Sequence, residues 1–385
     1  MDGKLAVIGL GSIGSMALWQ ASRLSGSVAG FEAQVPAHGR SAVGGDTRLF
    51  RMIYRGNPDL YPIHQRSRAL WAELEAETGQ NILTRCGGLS IGTKDGPYIN
   101  AVLETTRATG AEHQILNREE MAERYPQHNL RPADIAVYDP NAGALRTDRA
   151  VSAAVAAAEA NGATIHTNTP IDSITETVDG VLVTSGGNRW TFENVIVASG
   201  GWSQRLIPDY LAAATQTKRV FLTWFVARDS AMFTPEKFPV FSRMYEDRSM
   251  YGAPAVDGVT VKATLDGRGK PTPNPDAVPR ELTPAEIDET TDTVTEFFPS
   301  LYPNIVRTDA FPELYTKDGL PLLGRISEAG RIYCATGFSG GGFKNATGFG
   351  EIAAREALGK RTSIGLDFVR PQRITSQVTG NLDNS

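Results

Sequence analysis

The stretch Lys4-Leu-Ala-Val-Ile8 followed by Gly9-Leu-Gly11-Ser-Ile-Gly14 decides the fold. An apolar run leads into the glycines, a small-residue segment follows them through Leu24, and a second apolar run from Ser27 to Phe31 ends on Glu32. The order reads as strand, tight turn, helix, strand, the unit that opens a doubly wound parallel sheet. Each glycine has its own duty: Gly9 permits the turn, Gly11 lets backbone approach a pyrophosphate, and Gly14 allows helix and strand to pack closely. The helix N-terminus at Ser12 and Ile13 turns its partial positive charge toward those phosphates. Glu32, 18 positions after Gly14, is placed to accept hydrogen bonds from ribose hydroxyls. A glycine-rich turn alone is weak evidence. With the strand before it, the helix after it and the acidic residue beyond, it reads as a dinucleotide site.

Working outward, Thr147 to Asn161 is an alanine-rich helix, and Thr164 to His166 and Gly180 to Thr184 read as short strands in which the parallel sheet resumes. Glu193 to Ser203 is a buried strand running into Gly200 and Gly201, which is either a second backbone approach to the ligand or a plain strand and turn. From Phe221 to Lys262 the residues alternate, rich in aromatic and β-branched types, as an antiparallel sheet does. Gly88 to Ile91 is strand-like and Ile99 to Thr109 helix-like, while Thr283-Pro-Ala-Glu286 is a capping box opening a helix to about Phe298. Later, a strand from Arg331 to Ala335, a glycine-dense loop and a helix starting near Lys344 repeat the opening order. The expected fold is α/β with an α+β, two-domain layout: a Rossmann-like dinucleotide domain of residues 1–85, 144–215 and 311–375, and a discontinuous antiparallel-sheet substrate domain of 86–143 and 216–310. Residues 376–385 are expected to be a flexible tail.

The 385 residues carry 38 basic and 43 acidic side chains, net −5, with no long single-sign run, which argues against nucleic acid or an anionic membrane as partner. Cys86 and Cys334 are far apart and match no metal-ligand spacing, so core thiols, a reducing compartment and no metal are expected. No apolar run approaches the roughly 20 residues of a membrane span. With the first strand beginning by Lys4 there is no room for a leader, and a cytoplasmic monomer acting on small molecules is the expectation.

Three segments together, the N-terminal GxGxxG, Gly45-Asp-Thr-Arg48-Leu-Phe-Arg51 and Gly337-Phe-Ser-Gly-Gly-Gly-Phe-Lys344, resemble the monomeric sarcosine oxidase and fructosyl amino acid oxidase family of D-amino-acid-oxidase-like flavoproteins. The resemblance covers most of the chain. It implies FAD along the first strand and helix, hydride transfer from the carbon beside a secondary amine, and oxygen as the electron acceptor. It implies that Arg51 and Lys344 hold a substrate carboxylate, that Arg48 lies beside the flavin ring, that Lys262 near the end of a strand helps oxygen accept electrons, and that Tyr251 and Tyr315 line the site. The FAD contacts it implies are Gly9, Gly11, Ser12, Ile13, Gly14, Glu32, Arg40, Ser41, Thr47, Ile171, Ser199, Gly200, Trp202, Gly340, Gly342, Phe343 and Lys344. Without the family, Arg48 and Arg51 read as a solvated basic face, Lys262 as an exposed strand lysine, and the tyrosines as core residues with a polar tip.

Two departures from the family pattern follow. Members commonly tether FAD through a cysteine two residues before the tyrosine matched by Tyr315, whereas this chain has Glu313, so the FAD is expected to be noncovalent. Asp266 stands where sarcosine oxidases carry histidine and fructosyl-amine oxidases an acidic residue, and Arg55-Gly-Asn-Pro-Asp-Leu60 also resembles the latter. An aspartate can accept hydrogen bonds from sugar hydroxyls; alternatively it ion-pairs with Arg268 or Lys270 in a turn. The expected reaction is oxidation of a fructosyl amino acid to glucosone, amino acid and hydrogen peroxide, with sarcosine or another N-methyl amino acid as the runner-up. A flavin-dependent amine dehydrogenase, an NAD-dependent dehydrogenase and a noncatalytic flavin-binding scaffold are the competing classes.

Overall fold

The computed structural model describes residues 1–374 except Asp247, Arg268 and Glu328. The expected tail of residues 376–385 lies outside the described residues.

The opening motif folds as its glycines require. The strand Gly3–Ile8 pairs in parallel with Val28–Phe31 on one side and with Asn188–Val197 on the other. Thr164–His166 and Ile332–Thr336 extend this parallel core outward. Val181–Ser185, expected to belong to the parallel sheet, instead runs antiparallel to Asn188–Val197 because only Gly186 and Gly187 separate them, enough for a hairpin but not for a crossover. The helices Ser12–Ser22, Thr147–Ala160 and Ala346–Ala357 cover one face and bury Met16, Trp19, Val151, Ala154, Phe349 and Ile352 with it. The first and last of these touch backbone to backbone: a β-carbon on Gly350 would stand 2.7 Å from the Ala17 nitrogen.

Among the described residues the second sheet has nine strands and is antiparallel apart from one pair, Gly88–Thr93 beside Val240–Tyr245. Its spine is the ladder between Thr215–Ala227 and the 16-residue strand Leu301–Thr316, with Thr260–Asp266 and Arg248–Ala253 following. The Thr283 capping box is present, and its helix, Pro284–Phe297, packs Val294 and Phe297 into a core with Phe225, Phe238, Phe241 and Phe298. A three-stranded sheet of Thr47–Phe50, Gly143–Arg146 and Leu83–Thr84 lies between the two larger ones in chain order. The architecture is thus a mixed α/β, two-domain fold. Cys334 is buried in the parallel sheet and Cys86 is half-buried. Among the described residues no helix is long and apolar enough to cross a membrane, and no group of three His, Cys, Asp or Glu side chains could hold a metal ion.

Candidate active site

The carboxyl ends of the parallel strands open onto one long cleft, the expected ligand position in such a sheet. Ile8, Gly9, Glu32, Ala198, Ser199, Thr336 and Gly337 line it from that side, and Val220, Tyr251, Leu265, Asp266, Glu313 and Tyr315 line it from the antiparallel sheet.

At the sheet end, Gly9 has φ +88 and a β-carbon there would lie 2.7 Å from the Ser199 Cα; one on Gly14 would lie 1.7 Å from the Gly9 carbonyl oxygen. Only glycine fits either place. Gly14 therefore shapes the cradle from behind rather than lining it, and Gly11, Ser12 and Ile13 present the helix N-terminus to the cleft. The Glu32 carboxylate accepts from the Leu10 and Gln34 N–H groups and faces His38 Nε2 at 3.5 Å. Burial pushes this carboxyl up, but the His38 contact and the two backbone N–H groups outweigh it and hold it below the ordinary value. Ser41, Ile171, Ser199, Gly200, Trp202, Gly340, Gly342 and Phe343 also line the cleft. Arg40 does not: its side chain is exposed on the loop that closes with the Arg40 N–H donating to His38 Nδ1.

At the other end the cations converge. Arg48 donates to the Thr47 and Ala42 carbonyls and lies over the Phe311 ring. Arg51 has Nε and Nη1 buried without a hydrogen-bond partner among the described residues. Its backbone setting is firm, because the buried Asp139 carboxylate accepts from the Met52 and Ile53 N–H groups at 2.7 and 3.0 Å. Lys344 Nζ sits 3.9 Å above the Tyr54 ring centroid, and burial, then Arg51, pull its pKa down to about 7 against the pull of Asp266.

Lys262 is 1% exposed, near the start of its strand rather than the end, and lies behind the lining. Its ammonium donates to the Gly45 and Thr47 carbonyls at 2.5 and 2.6 Å, with Asp46 Oδ1 at 3.5 Å and the Trp224 ring beside it. Burial drives it well below its ordinary pKa, and Asp46 opposes the shift. Thr47 is likewise behind the lining, its carbonyl oxygen shared between Lys262 and Arg48.

Glu313 and Tyr315, two residues apart on one strand, face the cleft together, with the Tyr315 hydroxyl donating to Glu313 Oε2 at 3.2 Å. Burial pushes the Glu313 carboxyl up, countered by Arg48 and the Tyr315 hydroxyl, and it pushes the Tyr251 and Tyr315 phenols up as well. Asp266 is exposed, accepts from the Gly267 N–H and lines the cleft. Lys270 is not its partner, since that ammonium donates to Glu286 at 2.8 Å; Arg268 lies outside the described residues.

Comparison with known proteins names this arrangement: the family described as FAD dependent oxidoreductase matches residues 4–356. The chain belongs to that family. This FAD-dependent oxidoreductase is 28% identical over 376 residues to a monomeric sarcosine oxidase of Streptomyces avermitilis, covering 96% of this chain and 97% of that one. It is also 28% identical over 370 residues to an N-methyl-L-tryptophan oxidase of Yersinia pestis, covering 95% and 98%. A solved amadoriase I mutant from Aspergillus fumigatus shares the fold at TM-score 0.82 and 16% identity, covering 98% of this chain and 91% of that one. The residues present fit FAD. The cradle that Gly9 and Gly14 shape by close backbone packing suits the pyrophosphate, and the Glu32 carboxylate suits a ribose.

Sequence reasoning missed His38, Asp46, Tyr54, His64 and Asp139. Asp46 lay inside a motif already singled out, whereas His64 and Asp139 meet the site only through the fold and leave no local signal.

Proposed function

We propose that this enzyme oxidises the secondary amine of N-substituted α-amino acids, with a hydroxyl-bearing substituent, as in a fructosyl amino acid, as its preferred substrate. FAD, when bound, would supply the hydride acceptor for the carbon beside the amine and the route of the electrons to oxygen, so that the products would be an imine, which hydrolyses, and hydrogen peroxide. The observation that carries the reading is Arg51, whose Nε and Nη1 are buried without a partner beside the Lys344 ammonium. Unpaired buried donors of this kind are costly, so an anion brought to this guanidinium is favoured, and a planar substrate carboxylate suits it. Arg48 holds its guanidinium on two backbone carbonyls and so carries a fixed positive charge into the cleft. Lys262 keeps an ammonium behind the lining, where it would stabilise the negative charge that develops as oxygen is reduced.

For the substituent, Asp266, Glu313, Tyr251 and Tyr315 offer a wall of hydrogen-bonding groups on the cleft, suited to the several hydroxyls of a sugar. The second reading is an N-methyl amino acid, favoured by the sarcosine and N-methyl-L-tryptophan oxidases among the relatives. The test is anaerobic bleaching of the flavin against fructosyl-valine, fructosyl-lysine, sarcosine and N-methyl amino acids. Fastest bleaching by a fructosyl amino acid supports the first reading, fastest bleaching by sarcosine the second, and no bleaching by any of them overturns the class. The FAD is held noncovalently on this reading: Glu313 offers no thiol, and no cysteine is among the described lining residues. Acid precipitation should leave the yellow colour in the supernatant; colour in the pellet would reverse that assignment. Residues 1–85, 144–215 and 311–375 form the FAD-binding domain, which also lends Arg51, Glu313, Tyr315 and Lys344 to the substrate, and 86–143 and 216–310 form the substrate-binding domain. Balanced charge and two separated thiols support a cytoplasmic monomer.

A further inference from the structure

We infer that Tyr54, pinned by His64, is a positioning residue that seats the Lys344 ammonium beside Arg51 and so builds the carboxylate-binding end of the cleft. This rests on the proposed reading of Arg51 and Lys344 as the groups that receive the substrate carboxylate. A lysine side chain has four rotatable bonds and no preferred direction; to act as half of a two-cation site it must be held without spending its charge on a protein anion. Lys344 meets that condition. Its carbonyl accepts from Trp71 Nε1 at 3.0 Å, which fixes the backbone, and its ammonium rests 3.9 Å over the face of Tyr54. Among the described residues no carboxylate lies within ion-pair distance of that ammonium.

The ring is itself held on two sides. The Tyr54 hydroxyl lies 3.1 Å from His64 Nε2, and the two rings tilt at 44° with centroids 4.9 Å apart. On the other edge Gly56 leaves room: a β-carbon there would stand 2.6 Å from Tyr54 Cε2. Burial, with Lys344 and Arg51 adding to it, keeps His64 well below its ordinary pKa, so the group behind the ring is neutral and adds no like charge to the two cations. Tyr54 also sits three residues after Arg51, immediately beyond the Met52 and Ile53 N–H groups that Asp139 clamps. One anchored segment thus supplies both Arg51 and the aromatic seat for Lys344.

The test uses the FAD-loaded enzyme and two small probes, acetate and its uncharged twin acetamide, with dissociation constants read from perturbation of the flavin spectrum. Tyr54→Leu should weaken acetate about tenfold to thirtyfold, the scale of a desolvated cation–π contact, and leave acetamide within about threefold. Tyr54→Phe keeps the aromatic face and should bind acetate within about threefold of wild type. Gly56→Ala, whose methyl group pushes the ring while leaving Tyr54 itself unchanged, should weaken acetate in the same direction and carries the test if Tyr54→Leu does not fold. With substrate, Tyr54→Leu should raise KM and leave kcat within about threefold. If Lys344→Met and Arg51→Met lose acetate while Tyr54→Leu and Gly56→Ala bind it as wild type does, the positioning role is overturned and the carboxylate reading stands. If Lys344→Met and Arg51→Met bind acetate normally, the carboxylate reading falls and this inference with it.

Discussion

The two ends of the cleft are built from different materials. Between Gly9 and Glu32 the cleft meets its contents with backbone: glycines chosen for what they lack, a helix N-terminus, and one carboxylate tied to two N–H groups. At the far end it does so with charged side chains, Arg48, Arg51 and Lys344 with Lys262 behind them, brought in from three distant parts of the chain and held by carbonyls and aromatic faces. The first end is specified by contiguous geometry and tolerates almost no added volume. The second is specified by electrostatics in a low-dielectric cleft, where single charges change chemistry without changing the fold.

That contrast can be broken at several points. The largest effect should come from Gly14→Val, which drives side-chain atoms into the Gly9 carbonyl; a loss of about 4 kcal/mol or more and a colourless protein are expected. Thermal melting and flavin absorbance per chain measure it, and a yellow, normally stable variant would show that the cradle is not sterically set. Lys262→Met is expected to fold and to be reduced by substrate at a near-normal rate, while reoxidation by oxygen slows about a hundredfold. Stopped-flow measurement of each half-reaction decides this, and equal losses in both would remove the charge-specific role. A third test is pH. With the free-enzyme Lys344 pKa near 7, the ammonium is charged below that pH and binds a carboxylate directly; above it, binding must first take up a proton. Acetate affinity should therefore fall about tenfold per pH unit above pH 7, and Lys344→Met should flatten the slope. The smallest effect is expected from Glu32→Gln, which keeps the side-chain shape and one acceptor: FAD affinity should drop only about tenfold by equilibrium dialysis, with the substrate carboxylate bound as before. A large change in acetate binding in that variant would mean that the two ends are coupled.

How much of this could be read from sequence follows from the same contrast. The cradle was legible because its glycines, helix start and Glu32 occur in order within one strand–helix–strand unit. The cations were legible only through family resemblance, because Arg51 and Lys344 sit in separate segments that periodicity does not connect. The long strand Leu301–Thr316 was not legible. It contains Pro303 and Pro312 and exposes much of its length, features that argue against a strand interior, and both are tolerated because its only ladder among the described residues is with Thr215–Ala227. His64 and Asp139 act at a distance, one behind an aromatic ring and one beneath a bend, so no local pattern marks them.

The Leu301–Thr316 strand has one further meaning. It is paired with its neighbour from Leu301, in the core of the antiparallel sheet, to Thr316, just past the cleft-lining Tyr315, through a main-chain ladder. Phe311, Glu313 and Tyr315 therefore behave like tools in a fixed rack: each can be exchanged for another without moving the backbone that holds the rest, since none of the ladder's hydrogen bonds runs through a side chain. A thiol, a carboxyl or a methyl group at position 313 would hang from the same peg. New chemistry in this fold can accordingly arrive one residue at a time, with the frame already in place.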